Sequence, residues 1–186
     1  MLELVIVDDH PAVRSGLIGL LEEGEGLRVV ASAATAREGF EAIADLRPDI
    51  ALLDLHLPDD DGLSLCLRTR ALPMPPRVVI YSAFANDGLA VRAAIAGASA
   101  VLAKSAPPHV LTAVLRGEVR PTVDPRALRA LGARLEAPEL AVLGMLVHGV
   151  AEEEVATTLG LTREQALARR AQILARLDGR RPLAAA

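Results

Sequence analysis

The sequence has no tryptophan, one tyrosine and two phenylalanines, so aromatic side chains make up 2% of its 186 residues. Any core must be assembled from Leu, Val, Ile and Ala, within a chain that is 52% hydrophobic and 24% charged. That balance excludes intrinsic disorder, which needs far less apolar surface and more unbalanced charge. Cysteine occurs once, at Cys66, which excludes an internal disulfide and predicts a reducing compartment. No apolar run approaches the roughly 18 residues of a membrane span. Met1 leads directly into a strand-like run, without the charged and apolar regions of a secretory leader. The expectation is a soluble, cytoplasmic protein with no membrane contact. Lysine is scarce too: of 20 Lys plus Arg, only Lys104 is Lys. An ammonium is a compact point charge and a guanidinium a wide planar fork, so a chain that otherwise uses Arg marks Lys104 as a position with a special demand.

What is present is an alternating pattern. Apolar runs at Leu4–Val7, Leu27–Ala31, Ile50–Leu53, Val78–Tyr81 and Ala100–Ala103 are bounded by turn signals, as expected of strands buried on both faces of a parallel sheet. Between them, helical spacing runs from Pro11 to Leu21, from a Thr35 cap to Leu46, from Leu63 to Arg70, from Asp87 to Ala96 and from Pro107 to Leu115. Strands alternating with helices predict an α/β fold, a doubly wound five-stranded parallel sheet of the flavodoxin type, over residues 1–116. Residues 117–136 contain Pro121 and Pro125 and read as a linker with a short helix from Asp124 to Leu135. Residues 137–186 read as a small all-α domain with helices Pro138–Val147, Ala151–Leu159 and Thr162–Leu177, ending in a frayed segment from Arg180. The last two helices are separated only by Gly160 and Leu161, a helix-turn-helix spacing.

In open α/β sheets the chemistry lies beyond the carboxyl ends of the strands. Here those ends carry Asp8 and Asp9, Asp54, Ser82 and Lys104. Carboxylates with open positions between them suit Mg²⁺, which keeps several waters and binds a substrate phosphate. A carboxylate beside such an ion can attack phosphorus and form an aspartyl phosphate. The transferred phosphoryl spreads charge over three oxygens and needs cations and donors around it, which Lys104 and the Ser82 hydroxyl would supply. His10 and His56 read as neighbours of this cluster, and Asp59, Asp60 and Asp61 as a solvated loop.

The segments VIVDDHP, LLDLHLPDDDG, VVIYSA and GASAVLAKS resemble the receiver domain of two-component response regulators. That resemblance implies that Asp54 accepts a phosphoryl group from a partner histidine kinase. It also implies that Asp8, Asp9, Asp54 and the His56 backbone carbonyl hold Mg²⁺, with Ser82 and Lys104 contacting the phosphate. On this reading the chain is no enzyme beyond its own phosphorylation and dephosphorylation. One departure stands out: three residues before the Lys, where the family often has an aromatic, this chain has Val101.

Residues 138–179 resemble the LuxR/NarL helix-turn-helix output, which implies transcription regulation through DNA and a homodimer when phosphorylated. Phosphate contacts need Lys or Arg, and Arg163, Arg169 and Arg176 are the candidates, with Thr162 as a helix cap and the Arg170 stem packed inward. The second tail helix carries Glu152, Glu153 and Glu154 instead of basic residues. The competing expectation is therefore a tail that serves as a protein-interaction module. A third reading, a hydrolase using an aspartyl phosphate, lacks residues to build a substrate-specificity domain.

Overall fold

The computed structural model describes residues 1–24, 26–119, 123–148 and 150–178. Among them the order is β1 (Leu2–Val7), α1 (Pro11–Glu22), β2 (Leu27–Ala33), α2 (Ala36–Leu46), β3 (Ile50–Asp54), α3 (Gly62–Thr69), β4 (Arg77–Ser82), α4 (Asp87–Ala96), β5 (Ala100–Ala103), α5 (Pro108–Arg116), α6 (Pro125–Gly132), α7 (Ala137–Val147), α8 (Glu152–Leu159) and α9 (Arg163–Leu177). The segment after Asp178, expected to fray, lies outside the described residues.

Every strand pair is parallel, in the order β2-β1-β3-β4-β5. The order reverses between β1 and β3, so the crevice of this doubly wound sheet opens where those two strands end. Successive strand residues point to opposite faces. Val5, Val7, Ala51, Leu53, Val78 and Ile80 join one apolar cluster with residues of α2, α3 and α4. Leu4, Ile6, Leu52, Val79 and Tyr81 join another with Leu17, Leu21, Leu111 and Val114 of α1 and α5. The expected α/β architecture is observed. β2 runs two residues beyond its expected end because Ser32 and Ala33 pair with Ile6 and Val7 after a register shift.

The helical tail is not a separate bead. Leu135, Val142, Leu143, Leu146, Val155, Ile173, Leu174 and Leu177 belong to the same apolar cluster as α3 and α4. α4 is consequently covered on two sides: Leu89, Ala93 and Ala96 follow one helical face, Val91 and Ile95 the opposite one, and all five are buried. In the tail, Thr162 caps α9 with its side chain accepting from the Gln165 amide. Gly160 ends α8 at a φ of 65°, the left-handed conformation that glycine adopts without penalty. Leu140 of α7 is 43% exposed.

Candidate functional site

β1, β3 and β4 and the residue after β5 bring Asp8, Asp54, Ser82 and Lys104 to the same end of the sheet. Asp8, Asp54 and Ser82 are buried. The Lys104 ammonium bridges the two acids, 2.6 Å from Asp8 Oδ2 and 2.7 Å from Asp54 Oδ2. Burial lowers the Lys104 pKa, but its bonds to Asp54 and Asp8 outweigh that and raise it above the ordinary lysine value. The Ser82 hydroxyl accepts from the Phe84 amide at 3.1 Å, which leaves its proton available to a ligand oxygen.

Two features hold the acceptor strand in place. Gly62 opens α3 against the end of β3, its amide donating to the Leu55 carbonyl at 2.8 Å. A Cβ at position 62 would run into the Asp54 carbonyl oxygen and lie 3.0 Å from the Asp54 carbonyl carbon, so only glycine permits this approach. The loop between them is not merely solvated, as the run of three acids suggested. Asp59 accepts from the Ala36 and Arg37 amides at 2.7 and 3.0 Å, capping α2, and Asp61 accepts from Ser64 at 2.8 Å, capping α3. The Arg37 amide bond is the main reason the Asp59 carboxyl sits below its usual range. Asx-type capping at loop ends was the available signal.

Among the described residues, one group could hold a cation: Asp8, Asp9, His10 and Asp54 offer ligand atoms all within 4.8 Å of one another. Asp8 Oδ2 is buried, and among the described residues its partner is the Lys104 ammonium, 2.6 Å away. A buried carboxylate oxygen, with two further carboxylates beside it, fits a hard divalent cation. The His10 ring enters this group through Asp9, with Nδ1 2.5 Å from Asp9 Oδ1. His56 stands on the other side, its amide 3.4 Å from Asp54 Oδ1 and its ring edge-on to Phe84.

The three candidate DNA-contacting arginines are not together on an open face. Arg163 donates to the Arg70 and Leu72 carbonyls at the end of α3, at 2.8 and 3.3 Å, and Glu153 lies 3.7 Å from its Nε. Arg176 pairs with Glu136 at 3.0 Å and Glu139 at 3.1 Å. Arg169 is half-buried. Arg170 packs inward as expected, 4% exposed, and donates to the Ile95 carbonyl near the end of α4. Asp178, just past α9, accepts from Arg92 of α4 at 2.5 Å. Sequence reasoning missed this docking; its signal was α4 itself, whose only charged residues are Asp87 and Arg92. The side chain of Glu152 lies outside the described residues.

Residues 4–116 match the response regulator receiver domain family. The DNA-binding transcriptional activator DevR/DosR of Mycobacterium tuberculosis is 31% identical over 202 residues, covering 100% of this chain and 93% of that protein. The nitrate/nitrite response regulator NarL of Escherichia coli is 27% identical, with 86% of this chain and 81% of that one covered. Among solved structures, a LuxR-family two-component response regulator from Aurantimonas superposes with a TM-score of 0.60 at 27% identity, covering 86% of this chain and 99% of that one.

Proposed function

The chain belongs to the LuxR/NarL class of two-component response regulators, and from that premise we propose that phosphorylation of Asp54 by a histidine kinase controls a DNA-binding tail. The single observation that supports this most is the convergence of Asp54, Asp8 and Lys104 within ion-pair distance at one sheet end. In the transfer, an Asp54 carboxylate oxygen forms a bond to phosphorus as the bond from phosphorus to the kinase imidazole nitrogen breaks. The ammonium that bridges the two acids is within reach of a phosphoryl oxygen on Asp54, and the Ser82 proton serves a second oxygen. Asp8, Asp9, Asp54 and the His56 carbonyl would hold Mg²⁺, which supplies positive charge beside the transferred group. No further catalytic activity is assigned.

For the tail, the reading is that DNA contact requires a homodimer and freed arginines, because in the docked arrangement Arg163 serves receiver carbonyls and Arg176 serves Glu136 and Glu139. The same docking also favours the second reading, a tail that acts as an interaction module without DNA affinity. The acceptor assignment is tested by labelling with a small phosphodonor in Mg²⁺. Asp54→Asn is expected to abolish incorporation, and Asp9→Ala to suppress it with partial recovery at higher Mg²⁺. Equal incorporation in wild type and Asp54→Asn would remove Asp54 from the acceptor role.

A further inference from the structure

Lys104 lies one residue past β5, where the sheet stops supplying partners on both sides. Its amide is still held, donating to the Ser82 carbonyl at 2.9 Å. Its carbonyl is held by a side chain: the Tyr81 hydroxyl donates to it at 3.1 Å. Beyond Lys104 the chain turns, with the Ala106 amide donating to Ala103, and then enters Pro107 and Pro108, which have no amide protons to offer. The tyrosine therefore supplies what neither the sheet nor the next helix does.

Tyr81 is the only tyrosine in the chain. It stands on β4 in register with Asp54 of β3 and Leu102 of β5. The residue is 7% exposed, and its ring packs in the apolar cluster that contains Leu17 and Leu111. With Lys104 it lines a cavity of about 320 Å³ between α1 and α5. Burial keeps the phenol protonated above its usual range, so it remains a donor at neutral pH.

A lysine side chain is long and rotamer-rich, and this one must place its ammonium between two carboxylates. That is achieved only if the main chain from which it springs is fixed. We propose that Tyr81 is a positioning residue for Lys104: its hydroxyl anchors the Lys104 carbonyl, and its ring ties that anchor to the α1–α5 side of the sheet. The inference rests on the proposed role of Lys104 at the phosphorylation site.

Because Lys104 is the only lysine, ¹³C-lysine labelling of the full chain gives a single ε-methylene NMR signal, recorded with Mg²⁺ before and after adding beryllofluoride as an acyl-phosphate mimic. Tyr81→Phe keeps the ring and removes the hydroxyl. The expected result is a displaced, broadened Lys104 signal before addition and a smaller response after it. As a control, Leu111→Ala loosens the same apolar face without touching the hydrogen bond, and its Lys104 signal should stay at the wild-type position. Tyr81→Phe spectra that superpose on wild type would overturn the proposal, as would a Leu111→Ala shift equal to that of Tyr81→Phe, even if either variant melts lower. A wild-type signal that ignores beryllofluoride would instead defeat the reading of Lys104 as a phosphate contact, while the spectra before addition still decide the link to Tyr81.

Discussion

The strand ends and α9 both gather charge, and they differ in whether the charge is balanced. At the strand ends Asp8 and Asp54 share one ammonium, and among the described residues Asp9 meets only the exposed His10 ring. Negative charge is held in excess there by backbone geometry, which is what a divalent cation requires, and that cation together with Lys104 would supply the positive charge a phosphoryl group needs. On α9 three of the four arginines face partners: Arg163 and Arg170 cover carbonyls at the ends of α3 and α4, and Arg176 lies between two carboxylates. Helix C-termini carry partial negative charge, so the Arg163 and Arg170 guanidinium groups find at the receiver a weak version of what nucleic acid phosphate would offer. A cluster left unbalanced is ready for chemistry, whereas a balanced one is a docking face until something competes for it.

Loosening the tail from the shared core should have the largest effect. Ile173 is fully buried in the cluster that joins α9 to α4. Ile173→Ala should cost roughly 2–5 kcal/mol and shift one cooperative unfolding transition. Separate receiver and tail transitions in calorimetry would mean that the two do not share a folding unit. A smaller effect is expected from Lys104→Arg, which keeps the charge but replaces a compact ammonium wedged between two acids by a planar fork. This variant should still be labelled by a phosphodonor yet fail to alter oligomeric state or DNA affinity. A wild-type response would remove any special role for the ammonium.

The smallest effect concerns the acidic loop. Asp59 is held below its usual carboxylate pKa, first by the Arg37 amide. A depressed carboxylate contributes stability that is fully present above the unfolded value, near 3.8, and is lost as pH falls through the lower folded value. Asp59→Ala should therefore lower stability slightly at neutral pH and converge with wild type in strong acid. A gap that widens on acidification, followed by urea melts, would contradict the capping role.

The strands were legible because buried parallel strands print as apolar runs, and the site was legible because each run ends in a chemically distinctive residue. Asp8, Asp54, Ser82 and Lys104 could be brought together because each closes a strand of one parallel sheet, whose strand ends lie on one side. The docking of the tail was not legible in the same way. Contacts from Arg163 to Leu72 or Arg170 to Ile95 join elements far apart in sequence and leave no periodic trace. Only the near absence of charge on α4 recorded that this helix has neighbours on two sides. Asp59 and Asp61 were opaque for another reason: a capping acid and a solvated acid look alike until the helix each one faces is placed. Tyr81 read as a strand residue because a hydroxyl bond to the next strand's turn has no sequence signature.

On the proposed reading, phosphorylation of Asp54 releases arginines now engaged at the receiver and within the tail. The most direct test of that release is a titration of one duplex DNA over several salt concentrations, with and without phosphorylation. Each neutralised phosphate contributes about 0.9 to the slope of log K against log salt. The unphosphorylated chain should bind weakly with a shallow slope, and phosphorylation should tighten binding and steepen the slope. Reversing Glu153 and Glu154 to Lys should strengthen non-specific binding in both states. A steep slope already present without phosphorylation, unchanged when Asp54 is phosphorylated, would contradict the claim. Absence of binding at any salt, even for the phosphorylated chain, would contradict DNA recognition altogether and leave the tail as an interaction module.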